Sequence, residues 1–410
     1  MTCPRSDVIL DRREEGPAGK VMFMSVRGMF SRIVRRLAAT TAAVLMLAAL
    51  LSASPPVGRD GRQEGTKTGQ DVFLYACVVC HGADGRGSSR SIVGFDQPLP
   101  DFTDVDFASR EPNSDWEGII HLGGPIRGFS QLMPAFGGVL TDKEIRSAVG
   151  HLRSFSDSPA WPRGELNFPK PLFTEKAFPE DELIFGASAG DKFHTITGQV
   201  SYEQRFGARN QVEFLFPYGW SRTEPAGPDA AAVWTSSLGD AAVAVKRVFH
   251  HSLERSSILS GGAELILPTG NRATGFGKGT FVFEPFVLYG QGLPAKFFLQ
   301  GQAGLDLPFQ TSKAESEAYL SLALGRSFFS GRWGRVWSPM VELLAARELV
   351  SGAPTNWDIA PQIHVTLNKR RSVMFNIGAR IALNNRAGRS TELAASVIWD
   401  WFDGGFFEGW

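Results

Sequence analysis

From about residue 191 onward the sequence keeps a period of two, and no other feature restricts the possible folds as strongly. Val373, Phe375, Ile377, Ala379, Ile381 and Leu383 alternate with Met374, Asn376, Gly378, Arg380, Ala382 and Asn384. Ile363, Val365 and Leu367 alternate with Gln362, His364 and Thr366, while Phe297, Leu299, Ala303, Leu305 and Leu307 oppose Gln300, Gln302 and Asp306. Similar runs centre near Thr197, Phe214, Val243, Glu264, Phe283, Leu322, Leu343 and Val397. Successive side chains of a strand point to opposite faces, so each run makes a ribbon with one apolar and one polar face. The pattern predicts about eleven strands of roughly ten residues, separated by Gly, Asn, Pro and Asp turns, with no helix between them.

Periodicity alone does not say which face is inside. A soluble β-sandwich turns the apolar faces inward; a barrel in a bilayer turns them out to lipid. Strand length and number fit closure. The second face repeatedly carries charge or amide, at Glu213, Lys246, Glu264, Glu284, Gln302 and Arg380. Aromatics crowd the strand ends, at Tyr218, Trp220, Trp337, Trp357, Trp399 and Trp401, where interfacial girdles lie. We therefore expect an all-β antiparallel barrel of outer-membrane type over 191–410. Its strand number should be even, twelve, with ten as the alternative. Leu267-Pro268-Thr269-Gly270-Asn271 and its neighbourhood resemble the outer-membrane barrels of aromatic-degradation operons. A terminal aromatic, here Trp410, resembles the assembly signal of such barrels, although Gly404-Gly405 interrupts the last strand.

The first half has a different grammar. Cys77-Val78-Val79-Cys80-His81 reads C-x-x-C-H, the attachment signature of a c-type haem. Two thiols on one helical turn can each form a thioether to a vinyl group of one porphyrin, and the adjacent imidazole offers the proximal nitrogen. A redox CxxC pair does not require the histidine. A zinc site needs two further ligands at suitable spacing, and the only other cysteine is Cys3. Both signature cysteines being used, no disulfide is expected.

Val72, Phe73 and Ala76 lie at helical spacing before the signature, and Gly82-Ala83-Asp84-Gly85-Arg86-Gly87 follows as a turn that lets backbone approach the porphyrin edge. A phosphate-cradling loop would need a preceding strand, which is missing. For the sixth ligand, Met133 is the only methionine between Cys77 and the end of this region, on a loop stiffened by Pro134. His121 and His151 are the rivals, and core filling is the ordinary role of a lone methionine. Thr141-Asp142-Lys143-Glu144 is a capping box opening a helix whose apolar face is Ile145, Ala148, Val149 and Leu152.

Together Cys77 to His81, Met133-Pro134 and the capped helix make residues 60–157 resemble the class I c-type cytochromes. The resemblance implies a small all-α domain with one covalent haem c, Cys77 and Cys80 as attachment thiols, His81 as proximal and Met133 as distal ligand. The segment from Arg90 to Gly128, with Pro98, Pro100, Asp101 and Asp104, reads as a long loop over the haem edge.

The rest is address and linkage. Arg32, Arg35 and Arg36 precede an apolar block, Leu37 to Leu51, and then Ser52, Ala53 and Ser54, the order of a secretory signal peptide. As a helix the block is only about 22 Å long against a hydrocarbon core of ~30 Å. We expect a signal peptide at 29–54, an uncleaved anchor being the alternative, after a leader at 1–28 that is non-native or disordered. Pro159, Pro162, Pro169, Pro171 and Pro179 mark 158–190 as a Pro-rich linker or laid-down strap. Lys+Arg and Asp+Glu balance at 42 each, which argues against a nucleic-acid partner. His194, His250, His251 and His364 read as turn or girdle residues, because adjacent histidines on a strand face opposite ways. No Ser-His-Asp order, Walker loop or paired-carboxylate signature stands out.

The expected function is therefore one-electron transfer in the periplasm, with redox partner proteins, by a mono-haem domain tethered to the outer membrane. The alternative is a small-molecule channel with the haem domain as redox sensor, gate or docking module. A peroxidase-like enzyme would need an open sixth position, which a Met133-ligated iron lacks.

Overall fold

The computed structural model describes residues 67–400 apart from 97, 191–192, 224–231, 388 and 390. The expected signal peptide and leader, Cys3, Trp401, Gly404-Gly405 and Trp410 lie outside the described residues.

The first unit is helical. Helix α1 (Gly69–Ala76) starts at a capping box that Thr68 makes with Asp71, and α2 (Val78–His81) follows after Cys77. Helix α6 (Asp142–Ser154) starts at the predicted box: the Glu144 N–H donates to Thr141 Oγ1 (3.3 Å) and the Thr141 N–H to Glu144 Oε2 (2.9 Å). Its predicted face, Ile145, Ala148, Val149 and Leu152, is buried against Val72 and Phe73 of α1. The two helices cross at Gly69, where a Cβ would lie 2.7 Å from the Ser147 carbonyl carbon. The segment expected as one long loop is instead largely helical. It holds α3 (Arg90–Val93), α4 (Val105–Arg110), α5 (Asn113–Leu122) and a 3-10 turn, Gly124–Arg127. Pro98, Pro100 and Pro112 sit between these short helices and Pro125 in the first residues of the 3-10 turn, where they break nothing. Trp116 and Ile120 of α5 complete the core.

The second unit is β, with strands β1 (Glu182–Gly190), β2 (Thr195–Phe206), β3 (Asn210–Thr223), β4 (Val233–Leu238), β5 (Ala242–Ser252), β6 (Ser257–Ile266) and β7 (Val282–Gly292). These are followed by β8 (Phe297–Pro308), β9 (Glu317–Arg326), β10 (Phe328–Phe329), β11 (Val336–Glu348), β12 (Asn356–Thr366), β13 (Val373–Ala382) and β14 (Glu392–Asp400). Leaving aside β4, which pairs with the end of β3, and β10, which pairs with β11, twelve strands form one antiparallel ring. The ring closes where β1 pairs with β14, from Glu182↔Asp400 to Gly190↔Glu392. All eleven runs read from the alternation are ring strands. The twelfth is β1, which lies inside the stretch expected as linker.

Phe216, Phe249 and Leu324 face outward at about half exposure (54%, 58% and 49%), whereas Glu342 and Asn376 are fully buried. The apolar face is therefore outside and the polar face inside, as for a barrel in lipid and opposite to a sandwich. Trp337 and Trp357 are the second residues of β11 and β12, and Trp399 is the last but one of β14, so aromatics do mark the strand ends.

Residues 164–181 run through the barrel as a strap. After a 3-10 turn at Gly164–Leu166 their backbone has no regular partner of its own, and buried N–H and C=O groups must find one. The inward side chains supply it from around the ring. Leu172 N–H donates to Glu342 Oε1 (3.1 Å) and Gln362 Oε1 (2.9 Å), Glu175 N–H to Gln302 Oε1 (2.9 Å), and Glu180 N–H to Gln211 Oε1 (2.7 Å). In return, the strap carbonyls of Pro169, Lys170 and Lys176 accept from Gln300 (2.8 Å), Asn376 (2.7 Å) and Lys246 (2.9 Å). Leu166 and Phe178 add an apolar cluster with Val248, Ile258 and Leu288. Five residues read as the polar face thus hold the chain's own strap: Gln302 and Lys246 among those named above, with Gln300, Gln362 and Asn376.

One barrel end has short turns, 207–209, 253–256, 293–296, 327–335 and 367–372; the other has longer ones such as 267–281. The helical unit sits at the short-turn end. Arg209 Nε donates to the Ala160 carbonyl (2.8 Å), and Arg332 pairs with Asp142 (2.9 Å).

Candidate functional site

The C-x-x-C-H residues occupy a single turn: the N–H groups of Cys80 (3.2 Å) and His81 (3.0 Å) both donate to the Cys77 carbonyl. Both thiols are free and half-buried. Burial, and then the neighbouring Cys80, push the Cys77 thiol up to about 11. Among the described residues no cysteine or histidine joins a cluster of three metal-ligating side chains, which removes the zinc alternative there.

The His81 imidazole rests against the Phe102 ring, with centroids 5.2 Å apart, and its Nδ1 is buried without a hydrogen-bond partner. Burial lowers its pKa, which keeps the ring neutral with a lone pair free to coordinate. The glycine turn folds back on this element. Gly87 N–H donates to the His81 carbonyl (2.9 Å) and Ser88 N–H to the Cys80 carbonyl (2.8 Å). Gly85 and Gly87 have φ of +77° and +84°, and a Cβ at Gly87 would lie 2.9 Å from Leu99 Cβ. The N–H groups of Gly85 and Gly87 are spent on the turn itself, leaving them nothing to offer a phosphate.

Met133 packs against the same apolar core as Cys77 and Val78. Its loop is built on the end of α5, a support the sequence reading missed. Gly124 N–H donates to the Met133 carbonyl (3.0 Å), Phe136 N–H to that of Ile120 (2.9 Å) and Gly137 N–H to that of His121 (3.0 Å). Gly123, at φ +81°, lies so close that a Cβ would be 2.9 Å from the Met133 carbonyl oxygen. The signal for it was the pair Gly123-Gly124 after an apolar helical face. The rival histidines lie on other contacts. His121 is 3.7 Å from Asp142 and beside Trp333 of the barrel (ring centroids 6.1 Å apart), and its Nδ1, like that of His81, is buried without a partner. His151 packs between Phe73 and Phe155 (5.2 and 5.1 Å). Two free thiols, a neutral imidazole with an unpartnered Nδ1, glycines closing on the turn and a thioether on the same core together fit a c-type haem.

Residues 64–152 match the family described as cytochrome c oxidase, cbb3-type, subunit III. Among solved structures the chain is similar to the KustC0563 c-type cytochrome at 24% identity, covering 22% of this chain and all of that one, TM-score 0.19. It is similar to an outer membrane channel from Pseudomonas putida F1 at 14% identity, covering 56% of this chain and 98% of that one, TM-score 0.38. It is also similar to the KdgM porin at 9% identity, covering 54% and 99%, TM-score 0.35. No curated protein matches. Residues 64–152 are a c-type cytochrome domain, and the strand pairing makes the second unit a closed twelve-stranded barrel of outer-membrane type.

Proposed function

With a c-type cytochrome domain seated on a closed barrel as premise, we propose that the protein is an outer-membrane-anchored, mono-haem electron carrier. The supporting observation is the single C-x-x-C-H turn, docked with its domain at the short-turn end of the barrel. In outer-membrane barrels the short turns face the periplasm, which supports a periplasmic position for the haem domain, within reach of redox partner proteins. When bound, the haem supplies a one-electron Fe(III)/Fe(II) couple.

The chain's own residues do the rest. Cys77 and Cys80 would attach the group, and His81 and Met133 would hold its iron. Phe102, Trp116 and the glycine turn, packed about His81, would keep water from it. A thioether favours the reduced state, so a His/Met pair sets a relatively high potential. With Met133 holding the iron there would be no open position for peroxide, which favours a carrier over a peroxidase. One haem does not bridge ~30 Å of hydrocarbon, so the barrel serves as an anchor and any electron path across the membrane needs further haems. The strap hydrogen-bonded around the lumen argues against the channel alternative. The test is Met133→Ala in the holoprotein: the sulfur-to-iron charge-transfer band is expected to vanish and the potential to fall. An unchanged spectrum would remove Met133 from its role.

A further inference from the structure

The loop that carries Met133 is gripped from outside its own domain. Arg127, in the 3-10 turn at the start of that loop, is buried; its Nη2 donates to Asp115 Oδ1 (2.7 Å) and its Nη1 to the Trp333 carbonyl (2.8 Å). Arg371, from the barrel turn between β12 and β13, reaches the same two acceptors. Its Nη1 donates to Asp115 Oδ1 (2.6 Å), and its Nη2 to the carbonyls of Trp333 (3.0 Å) and Gly334 (2.7 Å). Its neighbour Arg370 lays its guanidinium 4.5 Å from the centre of the Phe129 ring, midway along the loop. Trp333, from the turn between β9 and β11, packs on Gly118, where a Cβ would lie 3.2 Å from the indole.

Arg371 also has φ +65°, in the left-handed region that L-residues rarely adopt. Its three hydrogen bonds hold it there. From Gly124 the grip is passed to Met133 by the N–H bond to its carbonyl.

We propose that Arg371, assisted by Arg370, is a positioning residue for Met133: the β12–β13 turn of the barrel clamps the distal-ligand loop shut over the haem site. This rests on the reading of Met133 as distal ligand. An added ligand must wait for that loop to open, so its apparent affinity scales with the open fraction.

The experiment is imidazole titration of the ferric full-length holoprotein, with potentials measured alongside. Heat-modifiable gel mobility checks that each barrel has folded. In Arg371→Ala imidazole should bind roughly tenfold tighter, equivalent to about 1.4 kcal/mol, with a lowered potential. Arg371→Lys should fall between that variant and wild type. Arg370→Ala, which removes only the cover over Phe129, should shift both readouts less and in the same direction. Arg209→Ala loses its hydrogen bond to the Ala160 carbonyl at the same junction but away from Asp115, Trp333 and the loop, and should behave as wild type. Wild-type affinity and potential in Arg371→Ala, or an equal shift in Arg209→Ala, would overturn the clamp. If Met133→Ala leaves the charge-transfer band intact, the ligand reading fails instead, and the two failures are told apart.

Discussion

The helical unit and the barrel obey one rule with opposite signs. In the helical unit Val72, Phe73, Ile145 and Val149 are at most 2% exposed and form an apolar core. In the barrel Phe216 and Phe249 stand outside while Glu342, Gln300 and Asn376 are sealed within. Apolar side chains go where water is not, so the two units are built for two solvents, and their junction lies where one meets the other. The barrel interior is not a second apolar core. It is a polar lining that satisfies the backbone of a strap threaded from the helical unit.

The sharpest way to break this comparison is to empty the barrel. A chain lacking residues 165–179 should turn from ion-tight to conducting in planar bilayers, whereas the intact protein should not conduct. Equal, high conductance in both would return the barrel to the channel reading. A smaller effect separates the two solvents. Phe216→Arg, near the middle of β3, should cost about 2–4 kcal/mol in reversible unfolding from lipid. At an equally exposed site facing water the same change should stay within about 0.5 kcal/mol. If Phe216→Arg is as mild as that, the outer face is not in lipid.

The smallest effect belongs to the helical unit alone. Thr141→Ala should cost about 1 kcal/mol through loss of the α6 cap. The Thr141 hydrogen bonds, the backbone one first, hold the Glu144 carboxyl below its usual 4.5. A lowered folded-state pKa means that this stabilisation is present above that value and lost as pH falls through the depressed one. Thr141→Ala keeps the backbone donor and loses only the hydroxyl bond, so its thermal melts should show an only slightly shallower acid limb, with the barrel transition unmoved.

What could be read in advance was whatever repeats or carries its own chemistry. The C-x-x-C-H turn, the Thr141/Glu144 cap and eleven alternating strands all declare themselves locally. The expected even count of twelve was right because closure demands an even number of antiparallel strands. β1 escaped because Glu182-Leu183-Ile184-Phe185-Gly186-Ala187-Ser188-Ala189-Gly190 alternates weakly and follows a run of prolines. The strap had no readable period because its hydrogen bonds are completed by side chains up to about two hundred residues away, such as Asn376 to Lys170. The clamp was hidden for the same reason. Arg371 reads as a surface turn residue until the fold brings Asp115 to it. Helices α4 and α5 were masked by prolines that in fact lie between helices.

The most direct test of the account takes the full-length protein matured in cells with a complete haem-ligation apparatus. Outer membranes are separated, denatured, run on a gel and stained for haem, and the same band is treated with a thiol-alkylating reagent. The account predicts one haem-staining band in the outer-membrane fraction, with Cys77 and Cys80 protected from alkylation. A colourless band with both thiols alkylated would contradict it.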